Sequence, residues 1–157
     1  MYLVVDEDEA RGAAIAAALG GESAARLVDD PLELGRLCHL RADLALQRQD
    51  VRSAERWAAR GMAMTAALGP EATSVRCNLM LDRAARLDAA GAPRRSVPLA
   101  ETALAWASAA GLPLEEGLAH LHLEMAYSML VDQRAVVHGA KAIECFEALG
   151  EDRHLHS

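Results

Sequence analysis

The chain has 157 residues, which is the length of one domain or of a short repeat array. Its formal net charge is −7, and residues 1–33 alone hold eight acids and two arginines, so the basic stripe required for phosphate backbones is absent and we expect no nucleic-acid binding. Only 3% of residues are aromatic, which predicts a core built from many small alanine contacts between helices.

The cellular compartment can be inferred from cysteine usage and hydropathy. Cys38, Cys77 and Cys145 are odd in number, distant in sequence and set in apolar stretches, so we expect reduced, buried thiols. Met1 to Val5 lacks the basic flank of a signal peptide, and no apolar run approaches the ~20 residues that a membrane span needs. These features predict a cytoplasmic protein without membrane contact.

The acidic N-terminal segment, residues 1–30, has a less regular pattern. Residues 7–19 are predicted to form a helix, which is either a capping helix or half of a degenerate repeat that covers the apolar face of the first hairpin. The acids after Tyr2–Val5 resemble the opening of a receiver domain, where acids at a strand end hold magnesium. That fold needs about five parallel strands, whereas the pattern is helical from residue 31 onward. Acids placed at a helix N-terminus are the preferred interpretation.

Six helices follow, because apolar residues recur three and four positions apart. All five prolines lie at predicted turns or first helical turns, and Asp30 is the expected cap of the first helix, with Glu33 reaching back to it. Gly69, Gly91, Gly111 and Gly150 are expected to end helices in the left-handed conformation. The predicted helices are 31–48, 51–68, 71–90, 94–110, 114–131 and 134–149.

A period of about 40 residues relates the three predicted helical hairpins. Gly69, Gly111 and Gly150 are 42 and 39 residues apart, which is typical of stacked repeats. Small residues recur in the same register and are predicted to mark close helix packing. In the first helices they are Ala42, Ala84 and Ala126; in the second helices they are Ala54, Ala58, Gly61, Ser96, Ala100, Ala103, Ala135, Gly139 and Ala142.

This register resembles that of tetratricopeptide repeat proteins, in the long-period form of bacterial regulators. The resemblance covers residues 31–150 and implies an all-α, right-handed α-solenoid of three hairpins, 31–69, 70–111 and 112–150, with a tail at 151–157. The large aromatic residue usual in the first helix of this family is replaced here by Ala45 and Leu87.

The resemblance also implies a concave binding face lined by the first helices. His120 and His122 point about 200° apart on a helix, so they are not expected to bind one metal ion together with Glu124. No cofactor site and no catalytic framework are expected elsewhere in the sequence. The candidate groove residues are Arg36, His39, Asp43, Asn78, Asp82, His120, Glu124 and Tyr127.

The functional expectation is a non-catalytic scaffold that binds a protein or peptide. The first alternative is a ligand- or signal-peptide-sensing module of a transcriptional or nucleotide-signalling regulator; the second is an enzyme that uses its carboxylates. The apolar face of the last helix is expected to be exposed, leading to a homodimer or to contact with a downstream domain.

Overall fold

The computed structural model describes residues 29–155, with side chains described for residues 29–152. This part of the chain forms six α-helices and one 3-10 turn and contains no strand, so the predicted all-α fold is confirmed. The predicted capping helix at 7–19 lies outside the described residues. The helices are α1 (Pro31–Gln47), α2 (Val51–Thr65), α3 (Thr73–Ala89), α4 (Pro93–Ala110), α5 (Pro113–Met129) and α6 (Arg134–Leu155), and the 3-10 turn is Pro70–Ala72.

Carboxylate caps begin the helices of the first hairpin. The side chain of Asp30 accepts a hydrogen bond from the Leu32 N–H at 3.0 Å, and Pro31 occupies the first turn, as predicted. Glu33 pairs with Arg36 instead of reaching back to the cap. Asp50 caps α2 by accepting from the Ser53 N–H at 3.1 Å. The backbone donors exposed at these two helix starts therefore gain partners from the local sequence.

Four short turns share one backbone geometry. In each turn a single residue adopts a left-handed φ, and the next residue donates its N–H to the carbonyl five positions back, which is the Schellman pattern. Glycine occupies two of these turns, as predicted, while glutamine and valine occupy the other two. The left-handed residues are Gln49 (φ 59°), Gly91 (φ 76°), Gly111 (φ 64°) and Val131 (φ 54°).

Two of the predicted glycine stops are wrong. Gly69 has a φ of −84° and precedes the 3-10 turn, because the residue before Pro70 is pushed toward extended backbone. Gly150 lies inside α6, which continues to Leu155, since no proline or other stop follows it. Pro98 also lies inside α4 instead of in its first turn. The regular spacing of the three glycines therefore reflects no shared turn geometry.

The helices pack in sequence order as a helical repeat of three hairpins, α1–α2, α3–α4 and α5–α6. The first helix of each hairpin also packs on the first helix of the next, through α1–α3 and α3–α5, whereas the second helices are not among the main packing partners of one another. Because the first helices lie closer together, they form the inner side of the stack. We call the solvent-facing side of α1, α3 and α5 the inner face.

Small residues lie at the points of closest helix approach. A Cβ added at Gly61 of α2 would lie 2.7 Å from Leu79 Cδ2 on α3, and one added at Gly117 of α5 would lie 2.7 Å from Phe146 Cε1 on α6. All the small residues of the predicted register are buried except Ala135 and Gly139, which are half-buried on α6. At each of these points a large side chain of one helix packs directly on the backbone of the next, between hairpins at Gly61 and within the last hairpin at Gly117.

The three cysteines are free thiols. Cys38 and Cys77 are buried, and Cys145 is half-buried. Burial, together with the nearby charge of Glu115, raises the pKa of the Cys77 thiol to about 11, so Cys77 remains protonated at neutral pH. In the fold Cys38 and Cys77 serve as small apolar side chains.

Candidate functional site

The polar centre of the inner face is a pair joining the first two hairpins. His39 Nδ1 on α1 lies 2.6 Å from Asp82 Oδ2 on α3. Burial raises the pKa of Asp82 to about 6, although the hydrogen bond with His39 opposes this shift. Burial alone would lower the pKa of His39, but the hydrogen bond and negative charge of Asp82 raise it above its ordinary value. The pair therefore joins α1 and α3 by one hydrogen bond at the centre of the inner face.

The pair is part of a longer polar strip on the inner face. The strip also includes Asp43 and His122 and therefore crosses all three hairpins. Asp43 is exposed one turn after His39 on α1. His122 lies on α5, and its buried Nδ1 atom has no hydrogen-bond partner among the described residues. Burial lowers the pKa of His122, and the negative charge of Asp43 partly offsets this effect. A buried nitrogen without a partner can bind an incoming polar group.

Five of the eight predicted groove residues lie on α1 and α3. Asn78 is half-buried one turn before Asp82 and therefore shares its side of α3. Arg36 is exposed and paired with Glu33. These residues, with His39, Asp43 and Asp82, belong to the first two hairpins.

The other three predicted groove residues lie on the side of α5 that faces α6. His120 Nδ1 lies 2.9 Å from His138 Nδ1, and Glu124 packs over Gly139, where an added Cβ would be 3.3 Å from the Glu124 carboxyl carbon. Tyr127 stacks on His138 with ring centroids 5.5 Å apart. His120, Glu124 and Tyr127 are three and four residues apart, so they share one stripe of α5.

The His120–His138 contact has a specific protonation requirement. A hydrogen bond between two Nδ1 atoms needs one donor and one acceptor, so at most one of the two rings can be charged. Burial is the largest cause lowering the pKa of both histidines, and the positive charge of Lys141 adds to it. Glu116 near His120 and Glu101 near His138 oppose the shift, while Arg134 strengthens it for His138.

Two open clefts lie at the edges of the stack. The larger is about 430 Å³ and combines an apolar wall with one cation: the Arg76 guanidinium lies 5.6 Å from the Trp106 ring centroid. Arg76 also donates to the Met62 carbonyl and to Thr65 Oγ1, both at 3.2 Å. The smaller is about 350 Å³ and mixes both charge signs. It is lined by Arg94, Val97, Glu101, Tyr127, Leu130, Asp132 and Arg134.

Sequence reasoning missed two of the histidines described here. The sequence analysis considered His122 only together with His120. The two residues point about 200° apart on α5, so if His120 faces α6, His122 faces the inner side. The angle between them could therefore have identified His122. His138 lies 18 residues from His120 on another helix, so no local pattern links the two.

Among residues 29–152, no group of three or more His, Cys, Asp or Glu side chains is arranged to hold a metal ion. None of the described helices is both long enough and apolar enough to cross a membrane.

No protein-family model, curated protein or solved structure gives a significant match to this chain. The functional argument therefore depends on the residues and geometry given above.

Proposed function

We propose that this protein is a divergent tetratricopeptide-like scaffold that binds a peptide segment of a protein partner along its inner face, without catalysis. The observation that carries the proposal is the polar strip of His39, Asp43, Asp82 and His122 across three rigid helices. Such a frame presents fixed polar groups to an extended or helical segment, which lowers the entropy cost of recognition.

The chemistry of the strip favours a partner with cationic or amide side chains. Asp43 offers an exposed carboxylate, and the buried carboxyl group of Asp82 lies beside it with one oxygen bonded to His39. The unpartnered Nδ1 of His122 adds a further hydrogen-bonding position. A peptide carrying lysine or arginine would bind these carboxylates with charge-assisted hydrogen bonds.

Selection from a phage-displayed library of short random peptides tests the proposal. We expect the wild-type chain to enrich peptides rich in lysine or arginine, with dissociation constants in the micromolar range. Fluorescence anisotropy with an enriched peptide should then show a loss of affinity of roughly tenfold or more in Asp43→Asn/Asp82→Asn, because each charged hydrogen bond contributes about 1.5–3 kcal/mol.

Glu71→Gln is the matched control, since Glu71 is an exposed carboxylate in the 3-10 turn, outside the three helices that form the inner face. It should leave peptide affinity unchanged. The proposal is overturned if the library yields no enriched peptide, or if enriched peptides bind the double variant as tightly as the wild type.

A second candidate function, small-ligand sensing, is favoured by the cleft beside Trp106. Its volume of about 430 Å³ falls within the range of small-ligand sites, and its one cation in an apolar wall suits an aromatic carboxylate. Naphthoate is a suitable probe in Trp57→Phe, where Trp106 is the only tryptophan. Saturable quenching that is lost in Arg76→Met would support sensing, and the absence of saturation would exclude it for this ligand class.

A further inference from the structure

Helix α6 carries an apolar stripe that no described residue covers. Val136 is 76% exposed and Ile143 is 58% exposed, and Val137 beside them is also exposed. Val136, the exposed Ala140 and Ile143 are four and three residues apart, so they lie along one side of the helix. We call Val136, Val137, Ala140 and Ile143 the α6 stripe.

The repeat register shows how the residues equivalent to Ile143 pack in the other hairpins. Ile143 corresponds to Leu104 of α4, 39 residues earlier, and Leu104 corresponds to Met62 of α2, 42 residues earlier. Both Met62 and Leu104 are half-buried against the central core cluster, which includes residues of the hairpin that follows each of them. Val136 corresponds in the same way to Val97, which also packs against this cluster, whereas Ala140 corresponds to the exposed Glu101. The positions of Val136 and Ile143 therefore have the chemistry of a packing surface and lack a partner in the described structure.

The distribution of charge along α6 indicates which partner fits. Residues 134–143 contain Lys141 and Arg134, which also pairs with Asp132 at 2.8 Å, and no acid. Residues 144–155 contain four acids and one cation, Arg153, so the second half of the helix is net negative. The charged side chains of residues 134–152 are all exposed. A second α6 running antiparallel would bring each cationic half against an anionic half, while a parallel arrangement would place like charges together.

The stripe is also nearly symmetric about its small central residue. Val136 lies four residues before Ala140 and Ile143 three residues after it, so a two-fold axis near Ala140 sets each valine against the isoleucine of the other copy. The exposed Ala140 at the centre is small enough to let the two helix backbones approach closely.

We propose that this surface binds a second copy of the chain, forming a symmetric dimer in which the two α6 helices pack antiparallel about Ala140. A single helix stripe is a small interface, so the dimer dissociates in the micromolar range. The dimer surface is separate from the inner face, and the proposal does not depend on the peptide-binding function.

Sedimentation velocity across the micromolar range tests the association. The wild-type chain should shift from monomer to dimer with concentration, and Val136→Glu/Ile143→Glu should remain monomeric with unchanged helical circular dichroism. Leu40→Glu is the matched control, because Leu40 is an exposed leucine on α1. A wild-type monomer at every concentration overturns the proposal, as does a dimer that survives the double glutamate variant.

Cysteine cross-linking tests the antiparallel arrangement in a Cys145→Ser background. Ala140→Cys should form a disulfide-linked dimer under mild oxidation by oxygen, in which two thiols lose two hydrogens to the oxidant. Gln133→Cys and Glu147→Cys, each one heptad from Ala140, should cross-link only when both are present in the same chain. Cross-linking of either single variant would indicate a parallel pair and overturn the antiparallel dimer.

Discussion

The central hairpin, α3–α4, and the last hairpin, α5–α6, share a register but differ in how much of their surface is covered. Leu79 and Ala103 of the central hairpin are fully buried, whereas Val136 and Ile143 of α6 are exposed. In a stack of repeats each hairpin contacts only its neighbours, so the same sequence position contributes burial energy where a neighbour exists and little where none does. Position within the stack therefore determines the energetic importance of a residue as much as its identity does.

The largest expected effect comes from truncating one side chain in each hairpin by the same number of carbon atoms. Leu79→Ala should lower the free energy of unfolding by about 2–5 kcal/mol, because Leu79 is fully buried and contacts the backbone of Gly61. Ile143→Ala should lower it by less than about 1 kcal/mol. Urea denaturation at a concentration where the chain is monomeric measures both, and equal losses would contradict the comparison.

A smaller loss of folding stability is expected when a larger side chain is placed where two helices pack closely. Ala100→Leu should cost about 1–3 kcal/mol, because the buried Ala100 lies where α4 packs against the core cluster. Ala58→Leu on α2 should behave in the same way, since Ala58 is fully buried. Ala105→Leu, at an exposed site on α4, is the control and should have almost no effect on the melting temperature. No loss in either buried variant would mean that the register of small residues has no packing role.

The turns at Gly91 and Val131 allow a reciprocal exchange of glycine and valine. Val131 holds a left-handed φ of 54° and is 93% exposed, so Val131→Gly should stabilise the chain by about 1 kcal/mol through relief of backbone strain. Gly91→Val should destabilise it by a similar amount, because an added Cβ at Gly91 meets no atom within 4 Å and the cost comes from the backbone alone. Chemical denaturation that gives the same sign for both would refute this explanation.

The smallest expected effect is on the pH dependence of stability. The lowered pKa values of His120 and His138 mean that the folded chain binds fewer protons than the unfolded chain below about pH 6.5. Their contribution to stability is therefore lost as the pH falls below that value. His138→Gln keeps a hydrogen-bonding group without titrating, so it should flatten the decrease in melting temperature between pH 7 and pH 5.

The His39–Asp82 pair between α1 and α3 should act in the opposite direction. Both groups have raised pKa values, so their contribution is greatest at low pH and is lost as the pH rises through the folded values. Removing them in His39→Gln/Asp82→Asn should make the acid-induced decrease in melting temperature steeper. A flatter profile in this variant would show that the sign assigned to the pair is wrong.

Most of the fold could be predicted from local sequence. Apolar spacing and the placement of prolines located all six helices, because both act within one helical turn. The left-handed Gln49 and Val131 could not be predicted, since neither residue favours that conformation and the hairpin closure imposes it. Gly150 was assigned as a stop although Glu151 and the residues after it continue the helix.

The candidate site was less accessible to sequence reasoning. Asp82 and His39 were both assigned to the first-helix groove, but their contact joins residues 43 positions apart and depends on how α1 and α3 pack. Tyr127 was also assigned to the groove, but its ring stacks on His138 of α6 with centroids 5.5 Å apart. Contacts between helices depend on such rotations, and a period in the sequence does not specify them.

The repeated turn geometry gives the chain equivalent joining points one repeat apart, on either side of α2 and α3. Gln49 and Gly91 are 42 residues apart and hold the chain in the same backbone conformation, closed by equivalent hydrogen bonds. Excising or duplicating the segment between them would rejoin the chain through a link of unchanged shape. An array of this kind can therefore change length by gene duplication or deletion without evolving a new connection.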